Sequence, residues 1–254
     1  MSPHHTAVRQ TEEHLMNAWP SLRTVMCDGW VFREANGYTK RANSASALDA
    51  RGAFSSTIDH AERFYASFDC PTVFRLSPLA GADPDRMLAE RGYHVVDETI
   101  VMTKPLVRID RVDSCVTIEA TCSERWESGY AAAHALRAPQ RRAHRAILNR
   151  IAPLPTAFAS LQVDGRTVAY GLGVLERDHL GLFDIVTVPD ARRKGAARRL
   201  VTTLVRWGAD RDAKRAWLGV IGDNEKAKPL YAQLGFGELY RYHYRIAPPT
   251  GVRA

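Results

Sequence analysis

One stretch limits what this chain can fold into more than any other: His179 to Gly208, HLGLFDIVTVPDARRKGAARRLVTTLVRWG. It opens with Leu182-Phe183-Asp184-Ile185-Val186-Thr187-Val188, an apolar, β-branched run suited to a buried strand. Pro189-Asp190 stops the strand. The basic turn Arg192-Arg193-Lys194-Gly195-Ala196-Ala197 comes next, and then the spacing changes. Ala197, Leu200, Val201, Leu204, Val205 and Gly208 recur at helical intervals on one face. The order is therefore buried strand, basic glycine-containing turn, helix. The first N–H groups of a helix have no partner within it, and its dipole leaves that end partly positive. A glycine lets the backbone approach an anion closely. Such a turn suits a pyrophosphate. Taken alone it equally fits a basic helix start in water or a nucleic-acid patch.

A second block follows: Asn224-Glu-Lys-Ala227-Lys-Pro-Leu230-Tyr231-Ala-Gln-Leu234-Gly235-Phe236. Read by residue type alone, Tyr231 packs an amphipathic helix and Asn224 caps it. Asp184 is either a base or a structural acceptor on the central strand.

The two blocks together resemble the GNAT superfamily of N-acetyltransferases. Arg192-x-x-Gly195-x-Ala197 matches that family's [R/Q]-x-x-G-x-[G/A] turn. Thr187-Val188-Pro189 stands where V-x-P is usual, and the second block resembles N-x-x-A-x-x-L-Y-x-x-L-G-F. The resemblance covers roughly residues 115 to 247. It implies a mixed α/β sheet and acetyl-CoA as cofactor. It implies that backbone N–H groups of Arg192, Arg193, Lys194, Gly195, Ala196 and Ala197 wrap the pyrophosphate. Ile185, Val186 and Thr187 would pair with the pantetheine arm, and Asn224 would hydrogen-bond that arm or cap its helix. Tyr231 matches the position that many relatives use to protonate the leaving thiolate. A phenol ionising near 10 stays protonated at neutral pH and would add a basic limb to the pH profile. Asp184 lies near where relatives often place a glutamate base, and Glu176 and His179 are the fallback bases.

The first half shows a weaker echo. Leu88-Ala89-Glu90-Arg91-Gly92-Tyr93 parallels Tyr231-Ala232-Gln233-Leu234-Gly235-Phe236 at an offset of 143 residues, and strand patterns follow both. It lacks an R-x-x-G-x-A turn. The expectation is two tandem GNAT-like units: residues 1–110 as a degenerate copy and 111–254 as the catalytic domain, with a single cofactor site in the second. A chance match of two helix ends is the alternative.

Earlier, apolar spacing predicts a helix over 12–26, interrupted by Pro20. Asn36-Gly37 predicts a hairpin between 29–35 and 38–44. That hairpin would gather Arg33, Lys40, Arg41, Asn43 and Ser44, either lining a substrate cleft or guarding a solvated edge. In the second half, Ser123 to His134 and Arg141 to Ile151 read as helices, with Ala138-Pro139 as a break. Asp164-Gly165 reads as a hairpin turn.

The net charge of +7 admits nucleic acid, but the Arg residues are scattered, which favours a polyanionic cofactor. Cys27, Cys70, Cys115 and Cys122 make no zinc spacing, so no metal is expected. No apolar run reaches membrane length and no leader pattern is present, so the protein reads as cytoplasmic and off the membrane. The functional expectation is acetyl transfer to a primary amine of a small molecule or amino-acid-like substrate, without a nucleic-acid partner; a homodimer is compatible with it. The alternatives are a protein lysine or N-terminal acceptor, an idle CoA-binding module, or a nucleic-acid binder.

Overall fold

The computed structural model describes residues 2–107, 113–151 and 153–249. They form two compact units, and the chain visits each of them more than once. Unit 1 holds residues 2–101, 221–223 and 239–249; unit 2 holds the described residues of 102–220 and 224–238.

Unit 1 contains α1 (Pro3–Ala18), β1 (Arg23–Cys27), β2 (Trp30–Glu34), β3 (Ala45–Ala47), α2 (Phe54–Ala66), β4 (Val73–Leu76), α3 (Asp83–Glu90) and the first part of β5 (His94–Pro105). It also contains most of the chain's last strand, β11 (Gly237–Ile246). Its strand order is β1-β2-β3-β4-β11-β5. β3 and β4 run parallel and are joined through α2; β1–β2, β2–β3 and β4–β11 are antiparallel. β11 presents Tyr240, Tyr242 and Tyr244 to the interior on one face, as the alternation requires.

Three expectations for this half need correction. The first helix is α1, not 12–26: Ser2 caps it, accepting from the His5 N–H, and it ends before Pro20. Val25 belongs to β1, because a proline cannot continue a helix whose N–H groups are needed. The hairpin partner of β2 is not 38–44. Asn36 and Gly37 do form a turn with positive φ (51° and 71°), but it leads into a 3₁₀ segment, Lys40–Ala42. β2 instead pairs with β1 through the tight Asp28-Gly29 turn, and with β3 in the register Phe32↔Ala45.

The third correction concerns the polar cluster: Arg33, Asn43 and Ser44 are buried inside the unit, while Lys40 stays at the surface. Arg33 is buried and donates to the carbonyls of Met16, Trp19 and Arg41. Asn43 accepts from the Ala35 and Gly37 N–H groups at 2.7 and 3.0 Å. Lys40 pairs with Asp97 at 2.6 Å. Beside them Glu12 and Arg75, both essentially unexposed, form a bidentate pair, and Tyr240 donates to Glu12. The Arg75 guanidinium lies 3.6 Å from the Tyr242 ring centroid. Charges this deep persist only when hydrogen bonds replace their water.

Unit 2 takes the end of β5 and adds β6 (Val116–Glu119), α4 (Glu124–Ala133), α5 (Ala138–Leu148), β7 (Thr156–Val163), β8 (Arg166–Glu176), β9 (His179–Thr187), α6 (Ala196–Ala209), most of β10 (Arg215–Ile221) and α7 (Ala227–Gln233). The strand order is β5-β10-β9-β8-β7-β6. β6 to β9 are mutually antiparallel, and β9–β10 is parallel, joined through α6. Asp164 and Gly165 turn the β7–β8 hairpin with φ of 49° and 74°. Ala138-Pro139 does not break the chain but opens α5, since a proline is harmless where its missing N–H would have had no partner. Leu200, Val201, Leu204 and Val205 bury the inner face of α6. Residues 108–112, on either side of the expected boundary at 110, lie outside the described residues.

Candidate functional site

The site starts from a defect in β9. Its parallel ladder with β10 runs from His179↔Arg215 to Leu182↔Leu218 and stops, although β9 continues to Thr187. Among the described residues, the edge of Phe183–Thr187 on that side is open. On the other side the register with β8 slips: Leu172 opposes Phe183, yet Tyr170 opposes Val186. Two residues, Asp184 and Ile185, thus stand opposite Gly171. This is a β-bulge, which bends a strand and re-aims its side chains. Asp184 takes φ of +53°, a conformation that Asp tolerates better than most residues. Gly171 leaves room here: a Cβ would sit 2.7 Å from Ile185 Cδ1 and 2.8 Å from Leu200 Cδ2, and those side-chain ends would have to shift to admit it.

The bulge turns Asp184 toward α4 and α5. Tyr130 of α4 donates its hydroxyl to Asp184 Oδ1 at 2.9 Å, and His144 Nε2 of α5 lies 2.8 Å from Oδ2. Both partners are buried, and the Asp184 side chain is only 8% exposed. The Tyr130 ring is sandwiched between Trp126 (5.3 Å, 4°) and His144 (4.8 Å, 28°). Trp126 is fixed in turn by donating Nε1–H to the Ala159 carbonyl at 3.0 Å. The two helices are clamped together by Glu127, which accepts from Arg141 Nε and NH2 at 2.8 and 2.6 Å. That guanidinium holds the Glu127 carboxyl below the usual range. Gly129 lets α4 lie against β8, since a Cβ there would stand 2.1 Å from the Tyr170 hydroxyl.

Past β9 the chain reaches the basic turn. Arg192 Nε donates back to the Thr187 carbonyl at 3.2 Å, and Arg193 and Gly195 take positive φ (63° and 80°). Gly195 is the N-cap of α6, without a side-chain cap, and the first intrahelical bond runs from Arg199 N–H to Gly195 O. The N–H groups of Ala196, Ala197 and Arg198 therefore face outward from a 14-residue helix. Arg192, Arg193, Lys194 and Gly195 are exposed, and nothing lies within 4 Å of a Cβ built on Gly195. Open donors, open space and positive charge fit an anionic group of pyrophosphate size.

Tyr231 lies on α7, mostly buried, its ring edge-on to Phe236 at 6.0 Å. Burial pushes its phenol up to about 12. Its hydroxyl makes no hydrogen bond to another described residue. Lys104 Nζ caps the far end of α7 by donating to the Leu234 carbonyl at 2.7 Å. Asn224 serves as a cap: its Oδ1 accepts from the Ala227 N–H at 3.1 Å. Pro229 sits in the first turn of α7, where no helical bond is lost. Glu176 and His179 face each other across the β8–β9 turn, eight and five residues before Asp184, and His179 is hydrogen-bonded to Asp178 at 2.7 Å.

The strand, turn and helix called from sequence are thus brought together at one end of unit 2. The partners of Asp184 were not found that way. Tyr130 and His144 lie 54 and 40 residues from it in sequence, and neither belongs to a recognisable spacing.

Residues 5–245 match the family model described as "Probable histone acetyltransferase Rv0428c C-terminal". The chain is 28% identical over 246 residues to the uncharacterized N-acetyltransferase YobR of Bacillus subtilis, covering 94% of this chain and 98% of that one. It is 28% identical over 269 residues to the probable histone acetyltransferase Rv0428c of Mycobacterium tuberculosis, covering 97% and 75%. Among solved structures, a GCN5-related N-acetyltransferase from Kribbella flavida shares the fold, with a TM-score of 0.71, 15% identity and coverage of 99% and 98%. The chain belongs to the Rv0428c C-terminal family and is a GNAT N-acetyltransferase.

Proposed function

We propose that unit 2 transfers an acetyl group directly from acetyl-CoA to a primary amine. The observation that carries this reading is the open edge of β9 between its bulge and the basic turn. A pantetheine arm adds to Ile185-Val186-Thr187 as a strand would, and the N–H groups at Gly195 to Arg198 receive the pyrophosphate. A backbone N–H on the open edge polarises the thioester oxygen. Asp184, aimed out of the strand by the bulge, takes the proton from the incoming ammonium. Tyr231, whose hydroxyl has no partner among the described residues, protonates or hydrogen-bonds the departing sulfur. Asn224, whose Oδ1 accepts from the Ala227 N–H, caps that helix or hydrogen-bonds the cofactor arm.

The acceptor we propose is a small amine or amino-acid-like molecule. A second reading, a protein lysine or N-terminus, is favoured by the name given to the matching family. We further read residues 1–110 as a degenerate copy. Its support is local: Tyr93 N–H to Leu88 O and Phe236 N–H to Tyr231 O are both 3.0 Å, and Gly92 and Gly235 have φ of 82° and 84°. In each unit one parallel strand pair is bridged by a helix.

A screen of amines, amino acids and lysine- or N-terminus-bearing peptides for thiol release from acetyl-CoA tests this function. Turnover on at least one class, lost in Asp184→Asn, is the expected result. Acetyl-CoA binding without turnover on any member would make the protein an idle binding module.

A further inference from the structure

We propose that His144 and Tyr130 are positioning residues that hold the Asp184 carboxylate in one reactive orientation. This rests on Asp184 being the base. An aspartate on a bulge has two rotatable side-chain bonds, and its backbone is in a sparsely populated conformation, φ +53°. Left alone, its carboxylate would sample several rotamers.

Here each oxygen has its own donor. Tyr130 O–H takes Oδ1 at 2.9 Å, and His144 Nε2 takes Oδ2 at 2.8 Å. The two donors come from different helices, so the carboxylate plane is fixed at both ends. Neither donor can drift. His144 is fully buried and stacked on Tyr130, Tyr130 is stacked on Trp126, and Arg141 ties the helices through Glu127. A buried imidazole aimed at a carboxylate is the familiar orienting pair of nucleophilic enzymes with the roles exchanged: the acid reacts and the histidine orients. The carboxylate keeps free lone pairs for an ammonium proton, because each oxygen offers two sites and one donor uses one. Misplacing a reacting group by about 1 Å costs on the order of 10²-fold in rate, so the orienting role has a measurable size.

The test uses the 254-residue chain and four variants, with kcat, KM for acetyl-CoA and the thermal midpoint measured on each. His144→Ala should lower kcat about 10²-fold and leave KM for acetyl-CoA within about twofold. His144→Gln returns an N–H donor near the Nε2 position and should recover most of that loss, to within about fivefold of wild type. Tyr130→Phe removes only a hydroxyl and should lower kcat in the same way; it carries the test if His144→Ala does not fold. Equal kcat in folded His144→Ala, Tyr130→Phe and wild type would overturn the proposal. Equal impairment of His144→Gln and His144→Ala would also overturn it, by showing that the imidazole and not its donor matters. Asp184→Asn separates the two levels. If it keeps wild-type turnover, the base assignment itself falls. If it is inactive while both partner variants are active, only the positioning role falls.

Discussion

Replacing Tyr231 by Phe keeps the ring against Phe236 and removes one hydroxyl. Burial holds that phenol at about 12, which changes what the group can do. A free thiol ionises near 8.5, so complete proton transfer from this phenol to a free thiolate would run uphill by roughly 5 kcal/mol. Tyr231 is therefore better placed to hydrogen-bond sulfur as charge develops than to ionise fully. A hydrogen bond to a charged partner contributes about 1.5–3 kcal/mol, or roughly 10- to 150-fold in rate. The expected loss in Tyr231→Phe is about 10²-fold in kcat, with KM for acetyl-CoA within about twofold. The phenol was expected to titrate near 10 and shape the basic limb; burial moves that event past the working range. The pH–rate profile of the variant should thus keep the wild-type shape between about pH 6 and 10, displaced downward. Rates must be measured under single-turnover conditions, where chemistry limits. Wild-type turnover in Tyr231→Phe there would make the residue a packing tyrosine and leave water to protonate the thiolate.

Gly195→Glu should keep the fold: the strain at φ +80° costs roughly 1–2 kcal/mol and the new Cβ meets nothing within 4 Å. Acetyl-CoA affinity should fall by about 100-fold or more from the added like charge, and unchanged affinity in calorimetry would sink the phosphate assignment. Gly129→Ala should lower stability by about 1–3 kcal/mol, because its Cβ meets the Tyr170 hydroxyl; an unaltered denaturant midpoint would contradict the packing of α4 on β8. Glu12→Gln leaves buried Arg75 without a countercharge and should cost about 3–5 kcal/mol, read from thermal or urea unfolding; a loss under 1 kcal/mol would refute it. Glu127 has its folded ionisation lowered by Arg141. Its stabilisation is therefore fully present above the unfolded carboxyl value, near 4.3, and fades as pH falls through the lower folded value. Glu127→Gln should flatten the acid side of the stability curve, and an identical acid slope in both proteins would count against the clamp.

The strand, basic turn and helix at one end of unit 2 were legible in the sequence because their causes are local. A β-branched run makes β9, Pro189 ends it, Gly195 takes φ +80° at the N-cap without strain, and 3.6-residue spacing makes α6. The Gly-aromatic helix ends at Gly92-Tyr93 and Gly235-Phe236 were legible for the same reason. Other features depended on residues far apart in the chain. A bulge is a count of two residues against one, so Asp184 could be placed on β9 but not aimed until Gly171 of β8 stood opposite it. Its donors, Tyr130 and His144, arrive on helices whose docking depends on the small size of Gly129 and on the Glu127–Arg141 pair. The polar cluster around Arg33 looked like surface because charge usually stays in water; only the carbonyls of Met16, Trp19 and Arg41 made its burial tolerable. Spacing along the chain determined which residues share an element. Pairing across the chain decided which side chains meet, because hydrogen bonds and close packing act over a few ångströms of space whatever the separation in sequence.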